Sequence, residues 1–285
     1  MNKLNPYILI APAIVLLIFI IGTGFMTCIC QSLGYFPQIG LKDITFNYYK
    51  EILSDKQFIQ SLIISFKTSL VSSIIAVIIG VILAYLMSKS KFTKIRYFLL
   101  NLPIIVPHIV VILLAFTIFS KTGILARILY HLNIIKDSNE FINLVNDKNG
   151  IGIIIVYIYK GIPFIALTVY NILQRIDDKL EEVAENLGAN KYQVFRFVIL
   201  PKIMPSVISS FIIIFAFSFG SFEVPYLIGA TNPKALPVNA YINYISLDLR
   251  QRPIAMAMNT ILISISFILL ILYNYIFKKL YKYKS

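Results

Sequence analysis

The feature of this sequence that most limits how it can fold is a series of six long apolar blocks. They lie at about 7–32, 60–88, 97–119, 151–174, 203–229 and 255–277. A helix of about 20 mostly apolar residues is long enough to cross the hydrocarbon core of a bilayer. No stretch shows the ten-residue alternation of a membrane β-barrel. The blocks therefore predict an all-α integral membrane protein with six spans in a single transmembrane domain over 1–285.

The composition favours the same interpretation. Hydrophobic residues make up 58% of the chain and charged residues only 14%, whereas a soluble domain has about 25% charged residues. A net charge of +13 would suit a nucleic-acid partner in a soluble protein. Here no soluble segment is long enough to form a basic domain, because the lysines and arginines lie mostly between apolar blocks. We expect membrane lipid, and no nucleic acid, as a partner.

The distribution of basic residues predicts the orientation in the membrane. If both termini are cytoplasmic, the inside segments hold about 14 lysines and arginines in about 52 positions, and the outside segments about 10 in about 83. Cytoplasmic loops are the ones that carry the excess of lysine and arginine. The sequence therefore predicts N- and C-termini on the cytoplasmic side.

The longest inside segment, at 175–202, has a pattern of its own. Asp178 with Glu181 forms a capping box, which predicts a helix beginning near Asp178. Gly188 predicts the end of that helix, because glycine accepts the left-handed conformation that closes a helix. The apolar residues between them fall on one helical face, namely Leu180, Val183, Ala184 and Leu187.

A second short helix is predicted after the glycine. Asn190 can cap a helix from Lys191 to Leu200, and Pro201 suits the first turn of the helix that follows. The loop is acidic in its first half and basic in its second half. It can dock into the groove of a partner, or it can be a solvated hairpin at the membrane surface; the residues alone leave both open.

This loop also resembles a known family pattern. Glu-Val-Ala at 182–184, three residues, Gly188, nine residues and Val-Ile-Leu-Pro at 198–201 are similar to the "EAA" loop of permease subunits in binding-protein-dependent ABC importers. That pattern is Glu-Ala-Ala, three residues, Gly, nine residues and Ile-x-Leu-Pro, and the spacing matches throughout. Val183 replaces the usual alanine and Val198 the usual isoleucine.

The resemblance implies a type I (MetI-like) importer fold, from about Ser61 to the last helix, in the bacterial plasma membrane. It implies three kinds of partner: a cytoplasmic ATPase dimer, a second permease subunit that is either identical or different, and an extracytoplasmic solute-binding protein. By position in the motif, Glu182, Ala184 and Gly188 would form the elbow that couples to the ATPase. Leu200 and Pro201 would fix the exit into the fifth helix.

The chain itself is not expected to be an enzyme. It has no Gly-x-x-x-x-Gly-Lys-Ser/Thr stretch to hold nucleotide phosphates, so ATP and Mg²⁺ are expected in the partner ATPase and no cofactor in this chain. His108 and His131 have no neighbouring set of metal ligands, and no nucleophile lies beside a base. We therefore expect no catalytic residue and no metal site.

Three ionisable residues fall inside predicted spans: Lys67, Lys160 and Glu223. Such groups are costly in lipid and usually face a bundle interior or a water path. From the helix rise, all three lie about 9–14 Å below the outer surface. One hypothesis is that Glu223 pairs with a lysine near the outer gate of a translocation path. The alternative is that the lysines extend outward to the interface and Glu223 lies in an outer re-entrant turn.

The segment 219–229 is similar to permeases of the polyamine, ferric-iron and thiamine type, although its acidic residue is placed differently. This resemblance implies a polyamine or another small solute. The main rival is an ATP-independent secondary transporter or channel, which would show inverted repeats or several buried carboxylates, and only Glu223 qualifies. A membrane-embedded enzyme lacks paired catalytic groups, and exporters commonly lack this loop pattern.

Overall fold

The computed structural model describes residues 6–90, 93–137, 140–142, 144–176 and 179–281 of the chain. Within these ranges the backbone is almost entirely helical, and its β-structure is a single bridge between Phe36 and Leu41. Thirteen α-helices are described: α1 Pro6–Ser32, α2 Asn47–Ser54, α3 Lys56–Ser88, α4 Lys94–Ile105, α5 His108–Phe119, α6 Ile124–His131, α7 Ile151–Leu173, α8 Lys179–Asn186, α9 Lys191–Val194, α10 Leu200–Gly220, α11 Glu223–Ile228, α12 Leu236–Tyr244 and α13 Arg252–Tyr281.

Six helical stretches in the described chain are long and apolar enough to cross a membrane. They are Ile10–Ser32, Lys56–Ser88, His108–His131, Ile151–Leu173, Lys191–Gly220 and Leu249–Leu272. The predicted all-α membrane fold with six spans is therefore confirmed. The extreme termini, on which the predicted orientation also depends, lie outside the described residues.

Two predicted spans are interrupted in the structure, each at a proline, and in the third Pro103 and Pro107 predict such a kink or late start. The third, at 97–119, is divided into α4 and α5, because the chain is extended at Val106 before Pro107. The fifth, at 203–229, ends at Gly220, and α11 begins at Glu223. A proline inside a helix removes one hydrogen bond and its ring clashes with the carbonyl four residues earlier. Pro225 fits the first turn of α11, but not the interior of one long helix.

The chain forms two compact units, of which the smaller comprises Met1–Ile59 and Leu236–Ile265. In this unit the Tyr49 hydroxyl donates a hydrogen bond to Ser32 Oγ over 2.7 Å. Cys28 is a buried free thiol whose Sγ lies 3.6 Å from the carbonyl oxygen of Met256. Most of the apolar surface of α1 is exposed, as expected of a helix whose solvent is lipid.

The larger unit comprises Gln60–Ala235 and Ser266–Ser285. Its main core lies among α3, α7 and α10 and includes the fully buried Ala76, Ile165 and Ile203. A Cβ atom added at Gly161 would lie 3.0 Å from the Cβ of Ala76, so α3 and α7 pack closely at this point. A second core lies among α5, α7 and α11. The single domain over 1–285 stays a prediction.

Candidate functional site

The 175–202 loop forms a sharp corner after α8. Gly188 has φ +88°, in the left-handed region. Its N–H donates to the carbonyl of Glu185 over 2.9 Å, and the N–H of Ala189 donates to that of Ala184 over 3.0 Å. This pair of bonds is a Schellman motif, which satisfies the last carbonyls of the helix. The predicted helix end at Gly188 is therefore confirmed, while the predicted cap, Asp178, lies outside the described residues.

The second helix of the loop is capped as predicted. Asn190 Oδ1 accepts a hydrogen bond from the Gln193 N–H over 2.9 Å, and Gln193 Oε1 accepts one from the Asn190 N–H over 2.8 Å. This reciprocal pair is a capping box. The capping role of Asn190 was predicted from the sequence, whereas the reciprocal role of Gln193 was missed.

The exit from the loop differs from the prediction of a separate helix over 191–200. The α-helix α9 continues through a π-helical turn, Phe195–Ile199, directly into α10, and Pro201 lies in the first turn of α10 as predicted. The N–H of Leu200 donates to the carbonyl of Phe195, five residues earlier. A π turn accommodates a proline because it relieves the contact between the ring and the preceding carbonyls. From Lys191 to Gly220, α9, the π turn and α10 therefore form one helical rod, which begins just after the corner.

Within the larger unit, the corner packs against other helices on one side only. Val194 and Ile199 are buried in the main core, and Ala184 packs against it. Lys89, just after the end of α3, forms an ion pair with Glu181 of α8, which the sequence did not indicate. The outer side is uncovered: Val183 is 55% and Leu187 83% exposed. The other exposed residues of α8 are Lys179, Leu180, Glu182, Glu185 and Asn186.

The second candidate site lies at the break between α4 and α5. Lys160, on α7, donates hydrogen bonds from Nζ to the carbonyl of Pro103 over 2.7 Å and to that of Val106 over 2.6 Å. The Pro103 carbonyl has no helical partner because Pro107, four residues later, has no N–H. A membrane helix tolerates such a break only when another group satisfies the freed carbonyls, and here Lys160 does so.

A cavity of about 240 Å³ opens beside this lysine. Lys160, His108, Tyr157 and Ser218 line it together with apolar residues. His108 Nε2 is buried without a described hydrogen-bond partner, and the imidazole lies 5.4 Å from the ring of Phe217, centroid to centroid. The ring contact shows that His108 packs against an aromatic side chain of α10.

The three predicted path residues do not form the predicted ion pair. Glu223 is exposed at the start of α11, and among the described residues it pairs with neither lysine. Lys160 is instead held by the two carbonyls, while Lys67 is exposed on α3. Whether the three residues line a translocation path stays a prediction.

The comparisons with known proteins agree with this architecture. Residues 76–282 match the family model described as "Binding-protein-dependent transport system inner membrane component". The sulfate transport system permease protein CysT of Salmonella typhimurium is 24% identical over 236 residues, which is 82% of each chain. The spermidine/putrescine transport system permease protein PotB of Haemophilus influenzae is 31% identical over 148 residues, 51% of this chain and 50% of that one.

Two solved structures share the fold. A chain of a bacterial ABC transporter that imports the acidic polysaccharide alginate superposes with a TM-score of 0.77 at 18% identity, covering 96% of this chain and 94% of that one. A chain of the MetNI methionine ABC transporter gives a TM-score of 0.55 at 17% identity, covering 78% and 95%. With the family match over most of its length, this chain belongs to the binding-protein-dependent transport system inner membrane components and is a multi-pass permease subunit of an ABC importer in the bacterial plasma membrane.

Proposed function

We propose that the whole chain acts as one permease domain, which couples to a separate ATPase dimer through the loop over 177–201. The observation that supports this most is the corner at Gly188, which is followed directly by the helical rod Lys191–Gly220 of a membrane span. In this proposal Glu182, Ala184 and Gly188 form the coupling elbow. Leu200 and Pro201 join the elbow to α10.

The uncovered side of α8 is the proposed contact with the ATPase. Val183 and Leu187 are apolar side chains that extend into solvent with no neighbour to cover them, and Glu182 adds a charge beside them. When the ATPases close on ATP, they push on this face. Because α9, the π turn and α10 are continuous, the push reaches the membrane span as a rigid displacement.

The remaining partners follow from the orientation. With both termini cytoplasmic, the elbow faces the cytoplasm, where the ATPase holds ATP and Mg²⁺. A second permease subunit completes the pathway, and an extracytoplasmic binding protein delivers solute to the outer side. Lys67, Lys160 and Glu223 belong to the pathway, and Lys160 also holds the broken helix together.

The solute class is left open by the relatives, because they carry ions of opposite charge. One is described as a sulfate permease and another as a spermidine/putrescine permease. Both solutes are small and charged. We propose a small charged solute for this chain.

The coupling surface is tested by purifying the tagged chain in mild detergent and identifying co-purifying proteins by mass spectrometry. Leu187→Asp should fold normally, because the side chain it replaces is 83% exposed, yet it should lose a P-loop ATPase that co-purifies with the wild type. Ile44→Asp is the matched control: Ile44 is 72% exposed but lies in a segment predicted outside, so the ATPase should be retained.

Glu182→Lys provides a second test through charge alone, and it should also lose the ATPase. Reconstitution with the ATPase and binding protein then tests transport. If Leu187→Asp and Glu182→Lys both retain the ATPase, or if the purified chain alone moves solute into liposomes without ATP, the proposed coupling is wrong and an ATP-independent transporter replaces it.

A further inference from the structure

A second cavity in the larger unit carries an unusual set of side chains. It has a volume of about 430 Å³ and lies between the N-terminal part of α3, the segment before α7 and the segment before α12. Its polar lining consists of Gln60, Lys67, Lys148 and Asn232. Gln60 and Lys67 are seven residues apart, so they lie on one face of α3, two turns from each other.

The four polar side chains of this cavity are free to bind a ligand. All four are exposed, and the structure describes no ion pair or side-chain hydrogen bond for any of them. Two ammonium groups and two amides together offer up to ten N–H donors, and no acidic residue of the described chain lines the cavity.

The nearest acidic residue in sequence does not neutralise the lysines. Asp147 precedes Lys148, but its carboxylate is used to cap the start of α7. Oδ2 accepts a hydrogen bond from the Asn149 N–H over 2.9 Å, and Oδ1 accepts one from the Gly152 N–H over 3.3 Å. The negative charge of Asp147 therefore lies at the N-terminus of α7, where it is favourable. Lys67 and Lys148 form no ion pair among the described residues.

From this arrangement we infer that the cavity binds an oxyanion, held by Lys67 and Lys148 and oriented by the amides of Gln60 and Asn232. Charge-assisted hydrogen bonds from ammonium groups to an oxyanion are stronger than neutral ones. The same two positive charges repel a polycation such as a polyamine. The inference deepens the proposed function and rests on it for one point, that this cavity opens on the outer side and receives the solute there.

Binding is tested on the full chain in nanodiscs of phosphatidylcholine, without ATPase or binding protein. A thiol-reactive dye reports thermal unfolding through Cys28, which is buried in the folded chain, in a background where the partly exposed Cys30 is replaced by serine (Cys30→Ser). Sodium sulfate should raise Tm by about 2 °C or more over sodium chloride of the same ionic strength, because a ligand that binds only the folded state stabilises it. Spermidine should give no rise.

Paired substitutions locate the effect. Lys67→Gln with Lys148→Gln should abolish the sulfate-dependent rise in Tm. Lys42→Gln with Lys50→Gln is the control, since it removes the same charge from exposed positions outside the cavity and should keep the rise. The inference is overturned if sulfate and chloride act alike, if the first pair keeps the rise, or if spermidine raises Tm instead.

The phosphate of a lipid headgroup has the same chemistry as a free oxyanion. A further experiment distinguishes a bound lipid from a bound solute. Nanodiscs that contain phosphatidylglycerol should show the same sulfate effect if the cavity takes solute. If phosphatidylglycerol suppresses it, and co-purifies with the wild type but not with the Lys67/Lys148 variant, the ligand is a lipid headgroup and the solute assignment is overturned. None of these measurements requires the ATPase, so their failure is distinct from failure of the proposed coupling.

Discussion

The chain interrupts its helices at Gly188 and at Pro107, and it closes the two interruptions in opposite ways. At Gly188 every bond comes from within six residues: the backbone closes α8, and Asn190 opens α9. At Pro107 the freed carbonyls are bonded by Lys160, more than fifty residues along the chain. A corner closed locally can move as one piece, whereas a break closed by a distant side chain ties two membrane helices together.

The membrane environment increases the difference between the Gly188 corner and the Pro107 break. A carbonyl left free at the loop can be hydrated, but one left free among membrane helices has no water to replace the lost bond. The Pro107 break is therefore expected to depend on one side chain much more strongly than the Gly188 corner depends on any.

The largest effect should come from Lys160→Met, which keeps the length of the side chain and removes both hydrogen bonds. Interhelical hydrogen bonds in membranes contribute up to about 1.7 kcal/mol each, so we expect a loss of about 2 kcal/mol in the free energy of unfolding. Reversible unfolding in mixed micelles measures it. Lys160→Arg keeps the hydrogen-bond donors, so its free energy of unfolding should fall by less.

A double-mutant cycle with Pro107→Ala makes the test specific. Alanine restores an N–H for the Pro103 carbonyl and allows α4 to continue into α5, so Lys160→Met should cost about 1 kcal/mol less in that background. Strictly additive effects would show that Lys160 does not act through the break, and the contrast with Gly188 would fail.

A smaller effect is expected at the local corner. A Cβ at Gly188 would meet nothing within 4 Å, so Gly188→Ala tests the left-handed backbone alone and should cost about 1 kcal/mol. Gly188→Asn should cost about half of that, because asparagine tolerates this conformation better. If asparagine and alanine cost the same, the preference for a left-handed backbone does not determine the stability of the corner. Thermal unfolding of the three chains decides between them.

The same distinction explains how much could be predicted from the sequence. The end of α8 at Gly188, the cap at Asn190 and the position of Pro201 were predicted correctly, because each depends on residues a few positions away. The bonds of Lys160 could not be derived, because they depend on which helix packs beside the α4–α5 break. A lysine in one span and a proline pair four residues apart in another were the available signal, but nothing in the sequence joined them.

One of the two alternatives for Glu223, a pair with a lysine, is not formed among the described residues, and the reason is similar. Helix phase and packing determine which groups meet, and a single sequence does not give them. Lys160 lies inside a span, as predicted, but its Nζ is bonded to two carbonyls. The ion pair between Lys89 and Glu181 was missed because it joins segments about ninety residues apart.

That ion pair offers the smallest and sharpest test of the comparison, since it is the one described contact of its kind between the corner and α3. Lys89 remains 43% exposed and Glu181 18%, and exposed pairs contribute about 0.5 kcal/mol. A cycle of Lys89→Met and Glu181→Gln should therefore give a coupling energy of about 0.5 kcal/mol that falls as salt is raised. The Lys160 cycle should be nearly independent of salt, because its contacts are shielded from solvent ions. A coupling energy of several kcal/mol between Lys89 and Glu181 would mean that a distant contact holds the corner in place. The corner would then resemble the Pro107 break, and the conclusion that it moves as one piece would be wrong.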